Sequence, residues 1–207
     1  MLLVVGLLIL NSPRGTRETE SPIKLTQLPN FIPDSTCQEI IKLAEGNFNK
    51  SEVLVNGQSS VTPDRTSSTY FLPRDQNYSF LREIEEKVAV LTGKPIENIE
   101  YMQVVKYTPG QEFKPHHDWF TPEYMQINGG KQRQYTFFVY LNDASEDAGT
   151  AFPKLGLSFK PVRGTALFWE NCTSHYMCHD ESLHQGKPPL TDVKYGLNIW
   201  VNFDRVR

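Results

Sequence analysis

The apolar positions of the chain fall into two regimes that meet near residue 100. Before it, helical spacing appears twice. Ile40, Ile41, Leu43 and Ala44 form a stripe behind Pro33-Asp34-Ser35-Thr36, which offers an N-terminal cap, and Gly46 stops the run. Phe80, Ile84, Val88 and Leu91 share one face of a second helix from about Ser79 to Leu91, ended by Gly93. Glu and Lys occupy its other face, so the apolar side is expected to pack on a sheet. Leu25 to Phe31 reads as a first strand running into a turn, and Ser51 to Val61 as strand broken at the hairpin dipeptide Asn56-Gly57. The polar segment 62–70 then turns extended into Phe71-Leu72. After residue 100 the pattern is strands: Tyr101 to Tyr107, Tyr135 to Leu141, Leu157 to Val162, Thr165 to Trp169 and Tyr195 to Phe203. Helices followed by many strands predict an α+β fold, with a double-stranded β-helix (jelly-roll) core and helices packed on one sheet. The mouth of such a sandwich is a place where ligands from separate strands converge.

Composition narrows this picture a little. A chain of 207 residues, 39% hydrophobic and 22% charged, suits one domain with a sizeable core. Its net charge of -3 gives no footprint for nucleic acid. Residues 1–20 read as an apolar leader and a polar linker, and residues 21–207 as the domain. The apolar run 1–10 is too short to span a bilayer, which takes about 20 residues. It fits the apolar region of a signal peptide without the charged start or a clear cleavage site. A signal or membrane anchor would place the protein in the secretory pathway, in the lumen of the endoplasmic reticulum or on its membrane. A simple hydrophobic arm would leave it cytoplasmic. Cys37, Cys172 and Cys178 cannot all pair internally, and Cys172 and Cys178 are equally readable as a small disulfide loop or as two thiols. Asn49, Asn77 and Asn171 begin glycosylation tripeptides, which matter only if the leader is real.

The candidate chemistry sits in Tyr107-Thr108-Pro109-Gly110-Gln111-Glu112-Phe113-Lys114-Pro115-His116-His117-Asp118-Trp119-Phe120. On an extended strand, His116 and Asp118 would point to one face. With a second histidine they would make the 2-His-1-carboxylate set of non-haem Fe(II) oxygenases. His184, after an irregular polar segment, is the candidate. His117 faces away from His116, and His175 and His179 read as loop residues. In the last strand, Lys194, Asn198, Trp200 and Asn202 alternate against Tyr195, Leu197, Ile199 and Val201, so a lysine shares a face with polar and aromatic residues. Such a lysine suits an acid co-substrate. A zinc hydrolase would use the same three ligands, but no glutamate stands at a convincing spacing to act as base, and Lys194 would have no role.

Read together, these pieces resemble a prolyl 4-hydroxylase of the Fe(II)/2-oxoglutarate dioxygenase superfamily. The likeness rests on Arg65-Thr66-Ser67, Met102 to Tyr107, Gly110-Gln111, His116 to Phe120, Arg133, Thr136 to Asp143, Gly149 to Pro153, Pro161 to Trp169, Ser182 to Gly186 and Lys194 to Trp200, in family order from about residue 62 onward. The resemblance implies that His116, Asp118 and His184 hold Fe(II), and that 2-oxoglutarate and O2 are co-substrates, with L-ascorbate as an accessory. It implies Lys194, assisted by Tyr107 and Thr150, on the distal carboxylate of 2-oxoglutarate. It further implies Glu100, Gln103, Arg133 and Trp200 along a groove for a Pro-rich or collagen-like peptide, with Arg65 and Ser67 in a mobile loop that folds over it. Phe113 departs from the tyrosine frequent in relatives, and Asn202 from a histidine expected near the 2-oxoglutarate carboxylate. A 2-oxoglutarate dioxygenase with another substrate and a peptide-binding module without turnover are the competing readings. Oligomeric state is not legible.

Overall fold

The computed structural model describes residues 22–55, 58–74 and 78–207. The leader, the Asn56-Gly57 turn and Asn77 lie outside them. In chain order the elements are β1 (Leu25–Leu28), α1 (Asp34–Ala44), β2 (Asn49–Lys50), β3 (Val53–Val55), β4 (Gln58–Ser60), β5 (Ser68–Phe71), α2 (Ser79–Thr92), β6 (Gln103–Tyr107), β7 (Phe113–His116), α3 (Pro122–Ile127), β8 (Arg133–Tyr140), β9 (Thr150–Phe152), β10 (Leu157–Phe159), β11 (Ala166–Glu170), β12 (His184–Gly186) and β13 (Lys194–Asn202). Short 3-10 turns join some of them. A seven-stranded sheet runs β1-β11-β8-β13-β6-β5-β2, a four-stranded sheet runs β10-β9-β12-β7, and β3 with β4 forms a separate antiparallel two-stranded sheet.

Alternation along the large sheet builds two cores, one on each face. Leu197, Ile199 and Val201 of β13, with Phe137 and Val139 of β8 and Val104 of β6, face α1 and α2, meeting Ile40, Ala44, Ile84 and Val88. The register agrees with this, since Leu197 lies opposite Val139 on one side and Val104 on the other. Val105 and Tyr107 of β6, Phe138 and Tyr140 of β8, and Leu167 and Trp169 of β11 point the other way and pack on Phe152 of the small sheet. The expected arrangement of helices on one sheet face is the arrangement found. The opposite face is thereby left to the small sheet, and the cavity opens between the two.

Several ends fall differently from the expectation. α1 begins directly after Pro33 with no side-chain cap, so Ser35 and Thr36 lie inside the helix and Asp34 favours its first turn by charge. α2 ends where Gly93 adopts φ +67° and donates its N–H to Ala89 O, a conformation natural to glycine. β10 stops at Phe159, two residues before Pro161, which has no N–H to give to a ladder. β1 stops at Leu28, and the chain turns through Asn30 at φ 53°. The strands β7, β9 and β12, which form most of the small sheet, are not among the strands delimited from the pattern, although His116 is read there on an extended strand.

Gly149 seats β9 against β10. A Cβ there would lie 1.8 Å from the carbonyl oxygen of Phe159, a backbone atom that cannot swing away. Gly149→Ala should therefore destabilise the fold by about 1–3 kcal/mol, read as a lower denaturation midpoint; an unchanged midpoint would show that the loop yields freely.

Candidate metal and co-substrate site

The small sheet assembles the site. β12 pairs antiparallel with β7 so that His184 stands opposite His116. His116 is the last residue of β7, and Asp118 lies in the bend just beyond it. The two are thus not side by side on one strand face, as the spacing suggested; the bend carries the carboxylate inward. His116 Nε2 lies 3.8 Å from Asp118 Oδ1, and His184 Nε2 lies 3.7 Å from Asp118 Oδ2. One ligand atom from each residue falls within 4.8 Å of the others, and among the described residues this is the group of three that fits a metal ion.

The backbone sets the imidazole tautomers. His116 Nδ1–H donates to Lys114 O at 2.8 Å, and His184 Nδ1–H donates to Ser182 O at 2.9 Å, which leaves both Nε2 lone pairs free toward Asp118. Burial holds His116 neutral, well below the usual imidazole range. Burial alone would raise Asp118, but the facing His184 and His116, then Arg133 and the Thr136 hydroxyl, outweigh it and bring the carboxyl down to about 2. A neutral His116 imidazole and an ionised Asp118 carboxylate are the forms in which these groups bind a divalent cation. The donor set therefore fits Fe(II).

Behind the carboxylate lies a relay that sequence reasoning missed. Thr136 Oγ1 donates to Asp118 Oδ2 at 2.8 Å, Asn171 Nδ2 donates to Thr136 Oγ1 at 2.8 Å, and Trp169 Nε1 donates to Asn171 Oδ1 at 2.9 Å. The available signal was a polar Thr136 on the cavity face of β8, immediately before the apolar run Phe137 to Val139. Asn171 is fully buried, so its glycosylation tripeptide is inaccessible in this fold, while Asn49 is exposed. Cys172 and Cys178 are disulfide-bonded and Cys37 is a buried free thiol.

Behind the cavity-lining Tyr107, Lys194 lies opposite it across β13 and β6. Its side chain is fully buried, its Nζ sits 4.3 Å from the centre of the Tyr107 ring, and it donates to Ala148 O and Lys187 O, each at 2.6 Å. Burial without a carboxylate in contact lowers its pKa to about 7, with Asp192 opposing only at a distance. Tyr107 and Thr150 line the cavity together with His116, Asp118, His184 and Trp200. Tyr140, also missed, donates to Thr150 Oγ1 at 2.8 Å and receives Thr150 N–H at 3.1 Å. Asn202 is at the far end of β13 from Lys194 and donates to Glu100 Oε1 at 2.8 Å, so it is not a neighbour of the lysine.

The residues expected along a peptide groove fall into two connected groups. Arg133 grips Glu100 with two bonds of 2.8 Å, and its guanidinium lies 3.8 Å from the Trp200 ring centre. Both Arg133 and Glu100 also line a groove of roughly 600 Å³ beside the metal site, with Phe71, Tyr101, Phe120 and Tyr124. Arg65 is buried, donates to Gln103 Oε1 at 2.8 Å and lies 4.7 Å from the Phe113 ring centre. Ser67 bonds Ser51 at 2.8 Å. The segment expected as a mobile loop is docked here: Arg65 bridges Phe113, and Lys114 N–H donates to Asp64 O. Phe113 itself stacks on the His116 ring at 3.4 Å.

The 2OG-Fe(II) oxygenase superfamily pattern matches residues 102–202, which contain the three ligands and Lys194. A putative prolyl 4-hydroxylase of Acanthamoeba polyphaga mimivirus is 34% identical over 178 residues, covering 84% of this chain and 72% of that one. The chain belongs to the prolyl 4-hydroxylase family. Probable prolyl 4-hydroxylase 10 of Arabidopsis thaliana is likewise 34% identical, over 83% of this chain, which spans 66% of that relative's length. The structure of the viral collagen prolyl hydroxylase of Paramecium Bursaria Chlorella virus-1 with 2-oxoglutarate superposes with a TM-score of 0.67 at 26% identity, covering 86% of this chain and 95% of the other. Membership in this family of 2-oxoglutarate/Fe(II) oxygenases brings Fe(II), 2-oxoglutarate and O2.

Lys194 gives this family member a measurable pH signature. Its folded pKa of about 7 lies below the ordinary 10.5, so between those values the unfolded chain holds more of the proton. Its contribution therefore makes the fold more stable as pH rises from 7 toward 10.5. In Lys194→Met that increment should be absent, measured as the pH dependence of the denaturant midpoint of both chains; parallel curves would contradict the burial of an uncompensated ammonium.

Proposed function

We propose that the chain is a peptidyl-prolyl 4-hydroxylase, acting on Pro-rich or collagen-like peptides. What carries this reading is a cavity lined by the two imidazoles, the Asp118 carboxylate, Tyr107 and Thr150, with a buried, carboxylate-free lysine packed over the Tyr107 ring. When bound, Fe(II) with 2-oxoglutarate and O2 supplies the oxidative chemistry, releasing succinate and CO2 and placing one oxygen atom on the proline ring.

The chain's own residues do the rest. His116, Asp118 and His184 would hold the iron from one side and leave its other side toward the cavity. The Lys194 ammonium would meet the distal carboxylate of 2-oxoglutarate, with the hydroxyls of Tyr107 and Thr150 as further partners; a carboxylate there would favour the charged lysine that burial now disfavours. The Trp200 indole N–H is buried without a hydrogen-bond partner among the described residues, and a peptide carbonyl would satisfy it. Arg133, held by Glu100, fixes the Trp200 ring from behind. Arg65, with Gln103 and Ser67 beneath its segment, closes over Phe113 and keeps water from the metal side. The aromatic groove beside Arg133 suits an extended polyproline II chain, which pays little conformational entropy on docking. The mimivirus and Arabidopsis relatives carry the prolyl 4-hydroxylase name, which supports the reaction.

L-ascorbate, as the reductant that keeps iron in the ferrous state, belongs to the same proposal. So does a secretory location, in the endoplasmic reticulum lumen or attached to its membrane through residues 1–10. The Cys172–Cys178 disulfide supports an oxidising compartment. Among the described residues no helix is long and apolar enough to cross a membrane.

Incubating the anaerobically loaded chain with Fe(II), 2-oxoglutarate, O2 and Pro-rich peptides should add one oxygen to proline, seen by mass spectrometry. His116→Ala should abolish it. Lys194→Ala should raise the KM for 2-oxoglutarate at least about tenfold with a smaller effect on kcat. Succinate release with oxygen on another residue would point to a different substrate, and tight peptide binding without any oxygen gain would point to a non-catalytic module.

A further inference from the structure

We infer that Thr136 and Asn171 are positioning residues for the metal-binding carboxylate, and that the Cys172–Cys178 disulfide loop is the clamp that holds them in place. This rests on the metal site proposed above and adds residues to it that neither the ligand set nor the co-substrate site includes.

A carboxylate in a bend has more freedom than one on a strand, and Asp118 is in a bend. The Thr136 hydroxyl is what fixes Oδ2, at 2.8 Å. A hydroxyl donates a single hydrogen, and its rotor can point it anywhere an acceptor waits. Asn171 Nδ2 donates into Thr136 Oγ1 at 2.8 Å, which occupies the oxygen as acceptor and leaves its hydrogen directed at Asp118. The Asn171 amide is in turn oriented by Trp169 Nε1–H on its Oδ1 at 2.9 Å. Thr136 and Asn171 are completely buried, so no solvent competes for these bonds.

The loop that follows Asn171 closes on itself. Asn171 N–H donates to Gln134 O at 2.7 Å, His179 N–H returns to Asn171 O at 2.8 Å, and the disulfide joins the residues just inside this pair. Beyond Cys178, His179 O accepts Ser182 Oγ–H at 2.7 Å, and Ser182 O is the acceptor that sets the His184 tautomer. One covalent clasp therefore stands behind two of the three ligands: Asp118 through Asn171 and Thr136, and His184 through His179 and Ser182. His116 takes its orientation from Lys114 O and is independent of the clasp.

The test is metal binding, with Co(II) as the probe, followed by calorimetry and by the visible absorption of the bound ion, on the full chain. Thr136→Val and Asn171→Asp keep shape but remove the donor to Asp118 or to Thr136. Each should weaken Co(II) about 10–100-fold, the usual cost of losing an outer hydrogen bond to a ligand, and shift the absorption bands. Thr136→Ser keeps the hydroxyl and should restore both. Cys172→Ala with Cys178→Ala should weaken Co(II) similarly, and adding Asn171→Asp to it should cost little more, because both act through one relay. If the cysteine variant does not fold, the valine, serine and aspartate variants still decide the relay. Wild-type affinity and spectrum in folded Thr136→Val and Asn171→Asp, whatever their unfolding midpoints, overturn the proposal. Failure of the unmodified chain to bind Co(II) overturns the metal site itself and the relay with it.

Discussion

The antiparallel register of β12 on β7 is the constraint on which the site depends. It places His184 opposite His116, and a slip of β12 by one residue would send the His184 imidazole to the outer face of the small sheet. Two very short strands cannot hold register by ladder bonds alone. β12 is therefore held on its other edge by β9, with Gly186 opposite Thr150, and β9 is pinned by Tyr140, which bonds both the side chain and the backbone of Thr150. The Thr150 side of the cavity thus sets the register of the histidine side. Gly186 serves the same purpose by space: a Cβ there would come within 3.0 Å of the Tyr107 hydroxyl.

This explains which parts of the architecture were readable in the sequence. β8 and β13 are long, sit in the middle of the large sheet and face a core on both sides, so their aromatic and β-branched runs stood out and β13 alternated as read. α1 and α2 showed because each buries a single stripe; α3, with no buried residue, did not. β7, β9 and β12 did not show, since Phe-Lys-Pro-His, Thr-Ala-Phe and His-Gln-Gly carry no alternation over enough residues to register. Their strand character comes from their neighbours. The candidate ligands were singled out by residue type and family likeness, while the strand geometry attached to them did not hold for Asp118, which is on a bend. The Thr136–Asn171 relay was invisible for a similar reason: Asn171 is distant from Asp118 in sequence, and its tripeptide suggested a surface site.

Packing and chemistry share one element in β13. Its helix-facing side chains, Leu197, Ile199 and Val201, are fully buried in the main core, so the strand is anchored with little freedom. Its other face carries Lys194, Asn198, Trp200 and Asn202, each meeting a different part of the site: Tyr107, Gln103, Arg133 and Glu100. A rigid strand spaces the co-substrate end from the groove end, which is the kind of support a catalytic constellation needs.

Charge completes the argument for what the cavity is built to receive. Arg133 is neutralised by Glu100 in a bidentate pair, so it acts on Trp200 as a platform more than as a free cation. Arg65 and Lys194 are buried with neutral hydrogen-bond partners, Gln103 and backbone carbonyls, and burial lowers the pKa of both. Against them stands the single Asp118 carboxylate, which the two imidazoles already engage. Burying two such cations costs stability, and a fold that tolerates the cost at these positions has a site suited to an anion. A dicarboxylate fits that balance better than a neutral ligand, because one end can meet the metal and the other can return Lys194 to its charged form. Arg65 is the farther of the two from that lysine's end. Its guanidinium lies above the Phe113 ring, which stacks on His116, and a peptide carbonyl is the acceptor we propose for it there.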